Sequence, residues 1–106
     1  MSAERNLGTL TIRLYGEFDL SSEKGFREEL ETLLGDEIST LVIDLRELTF
    51  MDSTGLRAII ALHQTALREG CDHAVLCGEG SVRRVLEETG LADVLPIVDP
   101  SDAVPS

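Results

Sequence analysis

Two apolar runs, LVIDL at Leu41 to Leu45 and AVLC at Ala74 to Cys77, do most to limit what this chain can fold into. The first is nearly continuously apolar and β-branched, and both read as strands covered on two faces. Between them Leu56, Ile59, Ile60, His63 and Leu67 recur at helical spacing, opposite a face carrying Arg57, Gln64 and Arg68, and the pattern stops at Gly70. Interior strands separated by a helix and short connections imply a sheet with parallel neighbours, right-handed crossovers and helices against it.

The flanking segments extend this alternation. TLTIRLY, Thr9 to Tyr15, alternates Leu10, Ile12 and Leu14 with Thr11 and Arg13, as a strand with one buried face does, and the preceding ERNLG reads as a short partner strand and turn. Asp19, Ser21 or Ser22 is placed to cap a first helix with a core face of Phe26, Leu30, Leu33 and Leu34, an acidic outer face of Glu28, Glu29 and Glu31, and a stop at Gly35. Ser81 with Val82, Val85 and Leu86 reads as a capped short helix ended by Gly90. Val94 to Val98 reads as a last short strand or extended edge. The expected architecture is α/β: one domain over residues 1–99, a small mixed, largely parallel β-sheet with helices packed against it, then a loose tail over 100–106.

With 106 residues the chain can bury one modest core, so a single site is expected. Twenty acids against nine bases give a formal charge of −11, which repels phosphate backbones and anionic lipid. Direct nucleic-acid and membrane binding are therefore not expected. No apolar stretch approaches the length of a membrane span. The amino terminus MSAERNLGTL has neither the basic flank nor the apolar core of a secretory signal, so the expected location is cytoplasmic. Cys71 and Cys77 are too few for a disulfide framework and read as reduced thiols. His63, Cys71 and His73 lack CxxC or HxxxH spacing, so neither a metal site nor a cofactor is expected.

The junction FMDSTGL, Phe50 to Leu56, carries the most chemistry. With a strand ending near Phe50 and a helix beginning near Thr54, Asp52 and Ser53 occupy the cap, facing the free N–H groups of the first turn. Read by spacing alone, one of them is an N-cap worth about 1 kcal/mol. A cap needs neither two consecutive hydroxyls nor Gly55, which has poor helix propensity. Gly55, with a small Ala58 on an outward face, would let another protein's backbone approach the hydroxyls. A phosphate on Ser53 would add about −1.5 to −2 charges and find partial stabilisation at the helix N-terminus.

GEFD at Gly16 to Asp19, VIDL at Val42 to Leu45, LTFMDSTGL at Leu48 to Leu56 and SVRRVLEETGL at Ser81 to Leu91 together resemble the STAS domain of bacterial anti-sigma factor antagonists. The resemblance implies a binding protein rather than an enzyme, with Ser53 phosphorylated by a partner that is both anti-sigma factor and serine kinase, of the ATP-binding histidine-kinase-like fold. It implies that the unphosphorylated form binds that partner and frees sigma factor, and that a PP2C-type phosphatase resets the switch. Asp19, Asp52, Ser53, Thr54, Gly55, Leu56 and Arg57 would then form the acceptor and docking surface. Two features depart from the pattern: Arg57 stands where many relatives have a small residue, and the carboxyl end is short and proline-rich.

Other readings compete. Ser53, Asp52 and His63 contain the letters of a hydrolytic triad, but MDSTG is not a G-x-S-x-G elbow, and ten residues of helix separate Ser53 from His63 by about 15 Å. A receiver domain would need an acidic cluster for Mg²⁺ and a nearby lysine, whereas the one lysine, Lys24, falls in the first helix. A STAS scaffold, or a module holding an anion or nucleotide at the helix terminus without a phosphoswitch, is the main alternative.

Overall fold

The computed structural model describes residues 2–18, 24–29 and 38–98. β1 (Ser2–Asn6) and β2 (Thr9–Phe18) form an antiparallel hairpin, with Leu7 and Gly8 both at positive φ in a two-residue turn of the kind that matches strand twist. Residues 24–29 are helical and constitute α1. β3 (Thr40–Met51), α2 (Ser53–Glu69), β4 (Asp72–Leu76), α3 (Ser81–Glu88), a 3-10 turn at Leu91–Asp93 and β5 (Ile97–Val98) follow. The sheet order is β1-β2-β3-β4-β5, parallel from β2 onward. The described residues form a single compact α/β domain with a five-stranded, mostly parallel sheet and three helices, the expected class.

The register sets Leu10 and Ile12 beside Leu41 and Ile43, and Ile43 beside Val75, and Leu14, Leu45 and Cys77 are buried in the same core. These side chains share one core with Ile59, Leu62 and Ala66 of α2, Val82 and Leu86 of α3, and Phe26 of α1. The Phe26 ring packs edge-on against Phe18, with centroids 5.1 Å apart. Alternation sends Val42, Asp44, Ala74 and Leu76 to the opposite face of the sheet, and all four are buried.

β3 runs six residues beyond the apolar run that announced it. Relative to β2 it carries two extra residues, since Arg13 pairs with Asp44, Tyr15 with Glu47 and Glu17 with Phe50. Each bulge shifts the parity by one, so Leu45, Leu48 and Met51 all point inward at intervals of three while Arg46, Glu47, Thr49 and Phe50 are exposed.

Three local expectations need correction. On α2 the buried stripe is Thr54, Gly55, Ala58, Ile59, Leu62 and Ala66; Leu67 is 61% exposed, and Leu56, Ile60 and His63 flank the stripe half-buried. The small Ala58 and Ala66 let the helix lie close to the sheet, which rotates the contact away from Leu67. Ala58 is therefore an inward residue, not an outward one. Ser81 does not cap α3; the cap position is Gly80, and the Ser81 hydroxyl instead donates to the Thr49 carbonyl at 3.4 Å, tying α3 to β3. The proposed caps of α1, its residues Leu30 to Gly35 and the tail over 100–106 lie outside the described residues.

Candidate functional site

The end of β3 leads into α2 through one residue. Asp52 has extended φ and ψ, and its Oδ1 accepts from the backbone N–H groups of Thr54 at 2.9 Å and Gly55 at 3.2 Å. Its own carbonyl accepts from Leu56 N at 3.1 Å, the first helical bond, while its N–H donates to the Phe18 carbonyl at 3.4 Å. The cap thus joins the ends of β2 and β3 to the start of α2 and satisfies helix donors that would otherwise be orphaned. At the other end Gly70 adopts a left-handed conformation, φ 70°, and its N–H closes the last turn.

Ser53 is the first residue of α2 and is exposed; its hydroxyl makes no hydrogen bond among the described residues. Thr54 is buried, 7% exposed, so the two adjacent hydroxyl-bearing residues differ sharply in access. Gly55 is buried as well. A Cβ at this position would stand 2.5 Å from Met51 Cγ and 3.3 Å from the Phe18 carbonyl oxygen. The chain's own packing at the β2, β3 and α2 junction therefore requires this glycine, and no partner has to be invoked to explain it. Leu56 is half-buried, and Arg57 is exposed with its Nε donating to the Ser53 carbonyl at 3.4 Å.

Of the seven residues expected to form the site, the structure gathers six in one turn, Asp52 to Arg57. Ser53 and Arg57 face outward, Asp52 and Leu56 are partly exposed, and Thr54 and Gly55 support them from within. Asp19 lies outside the described residues. Phe50, half exposed, adds an aromatic ring on the strand just before the turn. Sequence reasoning missed it because the bulges hide which β3 residues face out.

His63 is not part of this site. Its Nδ1 lies 2.7 Å from Nε2 of His73 at the start of β4, and the two rings tilt by 54°. The Cys71 thiol donates to the Ile38 carbonyl at 3.2 Å, and among the described residues no group of three or more His, Cys, Asp or Glu is arranged to hold a metal ion. The pairing joins residues ten apart across two elements. Its signal was the parity of β4, which turns His73 to the same face as Val75. Among the described residues no helix is long and apolar enough to cross a membrane.

A family profile for the STAS domain matches residues 1–103. The chain is similar to an anti-sigma F factor antagonist of Paenibacillus polymyxa, 32% identical over 97 residues that cover 91% of this chain and 83% of the relative. It is also similar to an anti-sigma-B factor antagonist of Listeria monocytogenes, 35% identical over 95 residues covering 89% of this chain and 82% of that protein. Among solved structures, the anti-sigma factor antagonist SpoIIAA in its unphosphorylated form superposes with a TM-score of 0.79 at 23% identity, over 95% of this chain and 88% of that one. Bacillus SpoIIAA in the phosphorylated form gives 0.74 at 22% identity, over 95% of this chain and 91% of that one. Both solved forms share the fold of this chain.

Proposed function

The chain belongs to the STAS domain family of anti-sigma factor antagonists, and from that premise we propose that it is a partner-switching regulator controlled by phosphorylation of Ser53. The observation that carries this reading is the split between the two hydroxyls. Ser53 is exposed and its hydroxyl has no hydrogen-bond partner among the described residues, on a helix start fixed by Asp52, whereas Thr54 is buried. Ser53 is the hydroxyl a kinase can reach.

In this reading the unphosphorylated protein binds an anti-sigma factor that is also a serine kinase of the ATP-binding histidine-kinase-like fold, and sigma factor is released. The Ser53 oxygen forms a bond to the γ-phosphorus of ATP, the bond to ADP breaks and the hydroxyl proton leaves to solvent. A PP2C-type phosphatase hydrolyses the ester and returns the serine. Asp52, Ser53, Leu56 and Arg57 form the docking surface together with Asp19, and Thr54 and Gly55 hold it in place from below. A dianion at the centre of such an interface costs several kcal/mol in desolvation and repulsion, enough to invert a choice between partners. The relatives named as anti-sigma factor antagonists support the role. SpoIIAA, solved with and without phosphate, supports a switch that leaves the fold in place.

The test is affinity capture from the native cytosol with wild type, Ser53→Ala and Ser53→Asp as baits, with bound proteins identified by mass spectrometry. Recovery of an ATP-binding anti-sigma kinase with wild type and Ala but not Asp is the expected result. If all three baits recover the same assembly without a kinase, Ser53 is a plain helix residue in a STAS scaffold and the switch is refuted.

A further inference from the structure

A phosphoryl group on Ser53 needs positive charge nearby, and the helix start does not supply it freely. The backbone N–H groups of Thr54 and Gly55, which a helix N-terminus would offer to an anion, are already engaged by Asp52 Oδ1, and that of Leu56 is engaged by the Asp52 carbonyl. The Asp52 carboxylate adds like charge beside the acceptor. The stabilisation by the helix terminus expected from the sequence is thus largely used up by the cap.

One turn further along the same face stands Arg57. It is exposed like Ser53, touches the Ser53 carbonyl through Nε at 3.4 Å, and makes no ion pair among the described residues. Residues at i and i+4 have Cβ atoms about 5–6 Å apart, and the order acid first, base second is the favourable one. A guanidinium offers paired N–H groups that match two phosphate oxygens.

Building on the reading of Ser53 as phosphoacceptor, we propose that Arg57 is the resident counter-ion of a phosphoryl group on Ser53, leaving the serine carbonyl to clamp the phosphate. The modification then changes two groups at once. It places a dianion at the centre of the docking surface, and it withdraws the Arg57 cation that the unmodified surface offers to a partner.

The experiment uses the full chain with phosphoserine installed at position 53 during translation, so that no kinase is needed. The second ionisation of the phosphate is followed by ³¹P NMR against pH in wild type, Arg57→Gln and Arg57→Lys. The expected midpoint lies about half a pH unit lower in wild type than in Arg57→Gln at low salt, with Arg57→Lys in between. The difference should shrink at about 0.5 M salt, as an exposed pair requires. Equal midpoints in wild type and Arg57→Gln would overturn the clamp. Capture of the kinase by the same phosphoserine protein reads the switch separately. A clamp seen by ³¹P with capture undiminished leaves this inference standing and removes the phosphoswitch, whereas an unmoved midpoint removes the clamp whatever the capture shows.

Discussion

Asp44 and Arg46, two residues apart on β3, meet in a bidentate pair: Arg46 Nε donates to Oδ1 at 3.0 Å and Nη2 donates to Oδ2 at 2.9 Å. The Arg46 backbone N–H adds a third bond at 3.0 Å, and Arg13 Nε on β2 a fourth at 3.2 Å. Asp44 is 1% exposed, so its carboxylate is a buried charge held by two arginines at the sheet surface. Burial pushes this carboxyl up, but the hydrogen bonds from Arg46 and Arg13 outweigh burial and bring its pKa down to about 2.

A carboxyl depressed in the folded state stabilises the protein above its unfolded value and loses that contribution as pH falls through the folded one. Stability should therefore decline between about pH 4 and pH 2, by at most about 2.5 kcal/mol, and by less because both arginines are some 40% exposed and screened. Urea titrations across this range should show the slope in wild type and a flatter one in Asp44→Asn. An unchanged acid slope in the variant would assign it to other carboxylates.

Gly55 should not tolerate a side chain. In Gly55→Val the branched group meets buried Met51 and the Phe18 carbonyl; overpacking of this kind costs about 1–3 kcal/mol, against a gain of only a few tenths in helix propensity. A lower midpoint in urea denaturation is expected. In a Met51→Ala background, which lacks the nearest clashing atom, the same change should cost less than it does in wild type, although Met51→Ala is itself destabilising.

The capping of α2 by Asp52 can be separated from its proposed part in docking. Asp52→Ala removes the acceptor for Thr54 N and Gly55 N and should cost about 0.5–2 kcal/mol, whereas Asp52→Asn keeps a capping oxygen and should stay close to wild type in stability. Loss of kinase capture in the stable Asn variant would show that the charge itself serves recognition. Retention would confine Asp52 to capping.

The His63 imidazole is held below its ordinary pKa, first by burial and then by repulsion from His73. The fold thus favours neutral His63, and its contribution is complete above the unfolded value of about 6.5 and declines as pH falls below it. Stability measured from pH 7.5 to 5.5 should fall in wild type and stay flatter in His63→Gln. Imidazole NMR would report the same displacement directly.

Much of this molecule was legible because its main elements obey simple periods. Continuous apolar runs marked the interior strands, alternation marked β2, and Asp before Ser marked the start of α2. The failures have local physical causes. The end of β3 near Phe50 was legible, but its inward residues beyond Leu45 were not, because two bulges break the alternation and no single-strand period describes Leu45, Leu48 and Met51. The contact stripe of α2 was placed too near Leu67 because large apolar letters were weighted above Ala58 and Ala66, which decide how closely helix and sheet approach. Gly55 was assigned to a partner when its nearest neighbours are Met51 and Phe18. Asp44 sat unremarked in an apolar strand, although an arginine two positions on, which shares its face in a strand, was a visible sign of its partner.

The continuity of β3 into α2 has a dynamic consequence. Ser53 stands two residues beyond Met51, the end of the central strand, and its neighbours Met51, Thr54 and Gly55 are buried, so opening the turn that carries it would disturb the core beneath. The amide hydrogens of Thr54, Gly55 and Leu56, all bonded to Asp52, should therefore exchange more slowly than those of an uncapped helix start. An exposed serine on such a foundation would meet a docking partner already ordered, with little configurational freedom left to lose at the encounter.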